Sequence, residues 1–328
     1  MENIPIFFAS DDNYIPFLAV SIQSIKQNAS RDYKYLIKIL YNKNNVSKKN
    51  MNKIYKFKDE NFDIEFIDIS KKQQEINSKM HTRDYYSKAT YYRIYIPELF
   101  PEFDKALYLD CDIAVLGDIS ELYNKDLGDN YIGAIPDGSV SCIKEFQDYV
   151  ENCIGVDSFD KYINAGILVL NTKKLREICF EDLFVSALTI ATFDVAQDQD
   201  YINVICKNHI LFIGEEWDKM PIRETIAEDE IKLIHYNLNF KPWLVDDVLY
   251  GDYFWKYAEQ TEFYEFIRSL KAKRTKEMQE QEAIVTQNLI KNAKEQAENN
   301  LLNIDRLAKM HSIIQTYVKE LNKIQKGI

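Results

Sequence analysis

Glycine is scarce in this chain, nine among 328 residues, and no GxGxxG or GxxxxGK[ST] run occurs. Loops that cradle phosphate with bare backbone N–H groups depend on such glycines, so the dinucleotide-binding and P-loop architectures are excluded. A diphosphate held here needs another source of positive charge, and a divalent cation is the natural one. Histidine is sparse too, with four residues. The five cysteines (Cys111, Cys142, Cys153, Cys179 and Cys206) are scattered and odd in number. That excludes a CxxC zinc site and a complete disulfide framework, and fits a reducing cytosol.

No compact Lys/Arg cluster offsets the net charge of −11, so nucleic acid is excluded as a partner. No run approaches the ~18 apolar residues of a membrane span, and no basic region precedes the apolar run Ile4 to Ala9. The expectation is a cytoplasmic protein, at most peripheral to a membrane.

Aromatic rings are plentiful, with 22 tyrosines and 18 phenylalanines. They serve a core, and they also suit nucleobases and sugar faces. Length and composition fit one large α/β domain with an appendage. Ile4 to Ala9 reads as a strand that breaks into Ser10-Asp11-Asp12-Asn13, followed by helical periodicity at Phe17, Val20, Ile22 and Ile25. A strand at Tyr35 to Tyr41, a helix at Ser47 to Lys58 and a strand at Asp63 to Ile69 continue a βαβ rhythm, which implies a mainly parallel sheet. Ligands bind such sheets at the carboxyl ends of the strands, so the polar loop after the first strand is a candidate site.

The main domain is expected over residues 1–267 and a helical tail over 268–328. From Lys271 glycine and proline vanish until Gly327, and Ile290, Ala293, Ala297, Leu301, Ile304, Ala308, His311, Ile314 and Val318 recur near heptad spacing. The tail's basic residues outnumber its acidic ones. Such a segment fits a hairpin packed on its own domain or on a second copy in a homodimer, and also suits a membrane surface or an acidic protein partner.

Four patches carry chemistry. In KALYLDCDIAV the apolar strand Ala106 to Leu109 runs into Asp110 and Asp112. Paired carboxylates beside an apolar strand cost several kcal/mol unless a cation neutralises them, so a hard divalent ion, Mn²⁺ or Mg²⁺, is implied. A DxD triplet also caps helices and turns, so the motif alone is weak. In IHYNLNFKPW, His235 is a candidate metal ligand and Lys241 a candidate phosphate contact. Asn164-Ala165-Gly166 opens the apolar run Ile167 to Leu170, and Gln197 to Asp200 opens a helix. Their plain readings are a turn and an N-cap, while amides and carboxylates at such edges also suit sugar hydroxyls.

Taken in order, FASDDNY (Phe8 to Tyr14), Arg93, LYLDCD (Leu107 to Asp112), NAG, QDQD and HYNLNFKPW resemble glycosyltransferase family 8 over about Ile4 to Ile267. The resemblance is to its bacterial galactosyl- and glucosyltransferases. It implies a GT-A fold, a Rossmann-like mixed sheet flanked by helices, here with the C-terminal helical appendage. It implies retaining, Mn²⁺-dependent transfer of a hexose, galactose before glucose, from a UDP-sugar to a saccharide acceptor. A glycan on a bacterial surface protein or lipid is the expected acceptor. By position, Ala9, Asp11 and Asn13 would contact uridine. Asp110, Asp112 and His235 would hold the metal against the diphosphate, and Lys241 would meet a phosphate. Arg93, Asn164, Asp198 and Gln199 would surround the transferred sugar, with Gln199 beneath it, Asp198 as the alternative nucleophile and Asp137 near the acceptor. Two departures stand out: Leu238 replaces a usual glycine beside the diphosphate, and Tyr85 a histidine near the nucleotide. Two other readings of the same residues are a catalytically silent scaffold and a self-glucosylating priming protein that carries sugar on a tyrosine.

Overall fold

The computed structural model describes residues 1–76 and 88–325, so Tyr85 lies outside the described residues. Nine strands are present among them: β1 (Glu2–Ala9), β2 (Tyr33–Tyr41), β3 (Phe62–Asp68), β4 (Ala106–Leu109), β5 (Ile113–Val115), β6 (Ile132–Pro136), β7 (Ile163–Leu170), β8 (Ile210–Phe212) and β9 (Leu233–His235). Seven form one sheet in the order β3-β2-β1-β4-β7-β6-β8, and β5 and β9 pair apart from it. The β3-β2-β1-β4 half is parallel. β7 is antiparallel to both β4 and β6, which makes the sheet mixed.

The expected βαβ units form where the sequence puts them. Helix Ile15–Asn28 follows β1 and buries Phe17, Val20, Ile22 and Ile25. Helix Lys48–Tyr55 is capped by Ser47, whose side chain accepts from the Asn50 N–H. Its start explains the polar Lys/Asn-rich stretch, because only Ile54 of that helix is buried. Two apolar clusters fill the sheet's two faces. One gathers Phe7, Tyr108 and Leu168, the other Phe8, Leu109 and Val169, so alternate residues of β1, β4 and β7 face opposite layers.

The tail forms helices Lys276–Glu298 and Asn300–Gln325, and both lie against the body. The first packs on helix Lys144–Tyr149, the second on helix Phe180–Ile190. Ala293, Ala297 and Met310 are buried in the same cluster as Tyr149 and Phe184. The single heptad stripe of the sequence does not persist across both helices: Ile304 is 66% exposed and His311 is exposed. Asn299 breaks the helix, so the second helix restarts with its own phase: Ile314 and Val318 of the stripe pack on the body as expected, joined by Met310, Ile313 and Tyr317. Packing of this kind predicts that Met310→Ala lowers unfolding free energy by about 2–4 kcal/mol. Ile304→Ala on the same helix should change it by less than about 0.5 kcal/mol. Urea unfolding followed by circular dichroism measures both.

Candidate active site

Parallel pairing of β1 with β4, Phe7 against Tyr108, brings both strands to an end at one edge of the sheet. The loop after Ala9 and the Asp110-Cys111-Asp112 triplet therefore meet there. β7 runs the other way beside β4, with Ile167 opposite Leu109, so its amino-terminal half Asn164-Ala165-Gly166 reaches the same edge. These three residues lie within the strand, so the plain reading of a turn does not hold there. Asn and Gly are poor strand formers, and a glycine inside a strand marks a close approach of another group. Here the Asp110 N–H donates to the Gly166 carbonyl at 2.8 Å, and a Cβ on Gly166 would lie 2.5 Å from His235 Cε1 and 2.8 Å from Asp110 Oδ2.

Immediately after the triplet, β5 pairs with β9 and sets Ile113 opposite His235. One ligand-type atom from each of Asp110, Asp112 and His235 then lies within 4.8 Å of the others. Cys111 points away, its thiol donating to the Ala9 carbonyl at 3.3 Å. His235 has a second carboxylate partner that sequence reasoning missed. Its Nδ1 lies 2.9 Å from Asp218 Oδ1, while Nε2 faces Asp112 Oδ1 at 3.4 Å. Asp218 belongs to the segment Trp217-Asp218-Lys219, which no motif marks. The bridge between Lys219 and Ile234 brings it alongside β9.

Electrostatics expose how short of positive charge this corner is. Burial would hold His235 neutral, yet Asp218 and Asp112 outweigh burial and push its pKa up to about 10. Burial raises the Asp110 carboxyl above its usual range, with Asp112 adding to the rise against the pull of Arg93. Asp112 is held below its usual range because Lys241 and His235 overcome burial. The Lys241 ammonium donates to Asp112 Oδ2 and, at 2.6 Å, to the Tyr236 carbonyl. Two carboxylates and one imidazole, whose other nitrogen is already oriented by Asp218, form a donor set of the kind that binds a hard divalent cation.

Arg93 spans from this corner to the neighbouring polar wall. It is fully buried, its Nε lies 2.9 Å from Asp198 Oδ2, its Nη2 lies 3.7 Å from Asp110 Oδ1, and its guanidinium sits over the Tyr108 ring. Burial pushes the Asp198 carboxyl up to about 6 in spite of Arg93. Asp137 ties the remaining groups together: it accepts from Gln199 Nε2 at 2.9 Å, from Asn164 Nδ2 at 3.2 Å and from the Ser139 N–H at 2.9 Å. Gln199 Oε1 in turn accepts from the Ala165 N–H at 3.0 Å. Both ends of that amide are fixed.

Of the residues singled out in the sequence, Ala9, Asp11, Arg93, Asp110, Asp112, Asp137, Asn164, Asp198, Gln199, His235 and Lys241 line one cavity of about 400 Å³. Asn13 does not; it is exposed on the shoulder of its loop, where its N–H donates to Asp11 Oδ1. Leu238 also lines the cavity and has φ of 50°, a left-handed conformation that favours glycine. The loop bearing it is anchored by Trp243, stacked on Phe17 with ring centroids 3.9 Å apart.

Comparison with known proteins agrees with this geometry. The sequence profile described as Glycosyl transferase family 8 matches residues 5–247. A putative glycosyltransferase of Haemophilus influenzae is 29% identical over 226 residues, covering 67% of this chain and 64% of its own length. This chain thus spans somewhat under two thirds of that relative. A lipopolysaccharide 1,2-glucosyltransferase of Escherichia coli is 27% identical over 267 residues, 74% of this chain and 73% of that one. Among solved structures, the galactosyltransferase LgtC in complex with donor and acceptor sugar analogues superposes with a TM-score of 0.65 at 24% identity, covering 79% of this chain and 96% of that one, a likeness of fold. With the profile spanning most of its length, the chain belongs to glycosyltransferase family 8 and has the GT-A fold.

Proposed function

We propose that this chain transfers a hexose from a UDP-sugar to a saccharide acceptor with retention of anomeric configuration and dependence on Mn²⁺. The observation that carries the proposal is the convergence of Asp110, Asp112 and His235 at the carboxyl end of β4, beside the polar wall of Arg93, Asp137, Asn164, Asp198 and Gln199. UDP-galactose and UDP-glucose are the donors to compare, with galactose favoured by the resemblance of the motifs. The proposed acceptor is a glycan on a bacterial surface protein or lipid.

In this reading Asp110, Asp112 and His235 hold the cation, with Asp218 fixing the imidazole. Bound there, a divalent cation supplies charge neutralisation for the diphosphate leaving group. Lys241 adds a second positive charge at the same edge, and Ala9 and Asp11 form the uridine side, with Asn13 outside the cavity. Arg93, Asn164 and Asp198 surround the hexose. The paired Gln199 amide is a weak nucleophile, and its oxygen already accepts a hydrogen bond. That supports attack by the acceptor hydroxyl on the face the diphosphate leaves, with the proton passing to the departing phosphate. Asp137 then acts as a positioning residue that orients Gln199 and Asn164 beside the acceptor.

Release of UDP from UDP-galactose or UDP-glucose, measured with Mn²⁺ and with EDTA, tests the activity. Turnover should require the metal and fall at least about 100-fold in Asp110→Asn/Asp112→Asn. Metal-independent turnover, or no UDP binding by the wild-type chain, contradicts the proposal. Asp218→Asn should weaken Mn²⁺ binding about 10- to 100-fold by calorimetry while the far-ultraviolet circular dichroism stays unchanged, since the partner of a histidine ligand sets its orientation and basicity. For the chemical step, Asp198→Asn should keep measurable turnover. Intact mass after incubation with donor should show no hexose adduct on either form, whereas a trapped adduct would establish a covalent route.

A further inference from the structure

The cavity that holds the proposed reaction centre is also lined by apolar side chains whose chemistry the donor does not use. Phe146 and Ile143 line it from the helix Lys144–Tyr149 and the residue before it, Leu238 from the loop after β9, and Val285 and Leu289 from the first tail helix. The diphosphate and the sugar hydroxyls call for charge and hydrogen bonds, which Arg93, Asp110, Asp137 and Gln199 supply in the same cavity. The side chains of Ile143, Phe146, Leu238, Val285 and Leu289 offer neither, although Asn239 and Thr286 line the same cavity beside them.

Two further observations tie this wall to the site. The tail helix is coupled to the loop bearing Lys241: Asn239 Nδ2 donates to Thr286 Oγ1 at 3.4 Å, and Arg274 donates to the Leu244 carbonyl at 3.4 Å. Leu238 takes a left-handed backbone conformation, costing about 1–2 kcal/mol, at a position where glycine would adopt it freely and leave the wall without its four side-chain carbons. The family profile ends at residue 247, so Val285 and Leu289 lie beyond the residues it matches.

We infer that the first tail helix and Leu238 form an acceptor subsite for a saccharide bearing an aliphatic aglycone, and that they select it over the bare sugar. The inference rests on the proposed transferase reading. Its chemistry is burial: each methylene that leaves water on Val285, Leu289 and Leu238 adds affinity, whereas a charged or short aglycone gains nothing there.

The test titrates hexyl, methyl and serine-linked β-glycosides of glucose, galactose and N-acetylglucosamine into the full chain with UDP and Mn²⁺, by calorimetry. For at least one sugar, the hexyl glycoside should half-saturate at about one tenth the concentration of the methyl glycoside, the ratio that about two buried methylenes produce. The ratio should fall to near one in Val285→Asn and Leu289→Asn, and partly in the near-isosteric Val285→Thr. It should stay near ten in Ile284→Asn, which alters the exposed face of the same helix. Reading the ratio within each variant separates selection from general loss of fold. Equal binding of hexyl and methyl glycosides, tighter binding of the serine-linked glycoside, a hexyl advantage that survives both asparagine variants, or no glycoside binding overturns the inference. Absence of UDP release from either donor, with or without metal, would instead remove the transferase reading while leaving the measured ratio intact.

Discussion

Everything in the cavity is arranged around a surplus of negative charge in a place water reaches poorly. Asp110, Asp112 and Asp218 surround His235, and the last two raise the proton affinity of its imidazole against the burial that lowers it, so a bound cation takes the place of a proton on Nε2. An isolated buried carboxylate would protonate, whereas a group of them with a metal-ligating nitrogen stays ionised when a cation joins them. Arg93 and Lys241 share the load from opposite sides. The glycine at 166 keeps backbone and ligands close enough for this, since any Cβ there would collide with His235 and Asp110.

The mixed sheet is the means of assembly. A fully parallel sheet would carry the strand beside β4 away from the site at its amino end, and Asn164 would lie at the opposite edge. Reversing β7 places its start where β4 stops, so an amide, a glycine and the Asp110 backbone meet within one turn of chain. The small β5-β9 pair does the same for His235, which lies more than a hundred residues from Asp112 in sequence yet one residue across a ladder from Ile113.

The hydrogen bonds of Asp137 give the polar wall its rigidity. With Gln199 held at its nitrogen by Asp137 and at its oxygen by the Ala165 N–H, the amide has one orientation. Preorganised dipoles of this kind stabilise charge without the cost of turning when it develops. The first tail helix adds the apolar side chains of Val285 and Leu289 to the lining of the same cavity.

Much of this was legible in the sequence. Apolar strands ending in polar groups identified β1 and β4, the order of five short motifs and Arg93 gave the family, and Asp110, Asp112 and His235 were all named from it. Those signals are local: a strand's period, a turn's composition and a motif's order reside in contiguous residues. What only the tertiary structure decided depends on chain segments meeting. Asp218 becomes the partner of His235 through a bridge to β9 that no local pattern encodes. Asn164 and Gly166 belong to a strand because of the neighbour they pair with. The tail's apolar residues divide into buried and exposed sets because Asn299 resets the helical phase, and its Val285 and Leu289 reach the cavity only because the helix folds back over the loop that carries Leu238. Sequence fixes which groups are available, while burial and pairing across long separations fix which of them share a space.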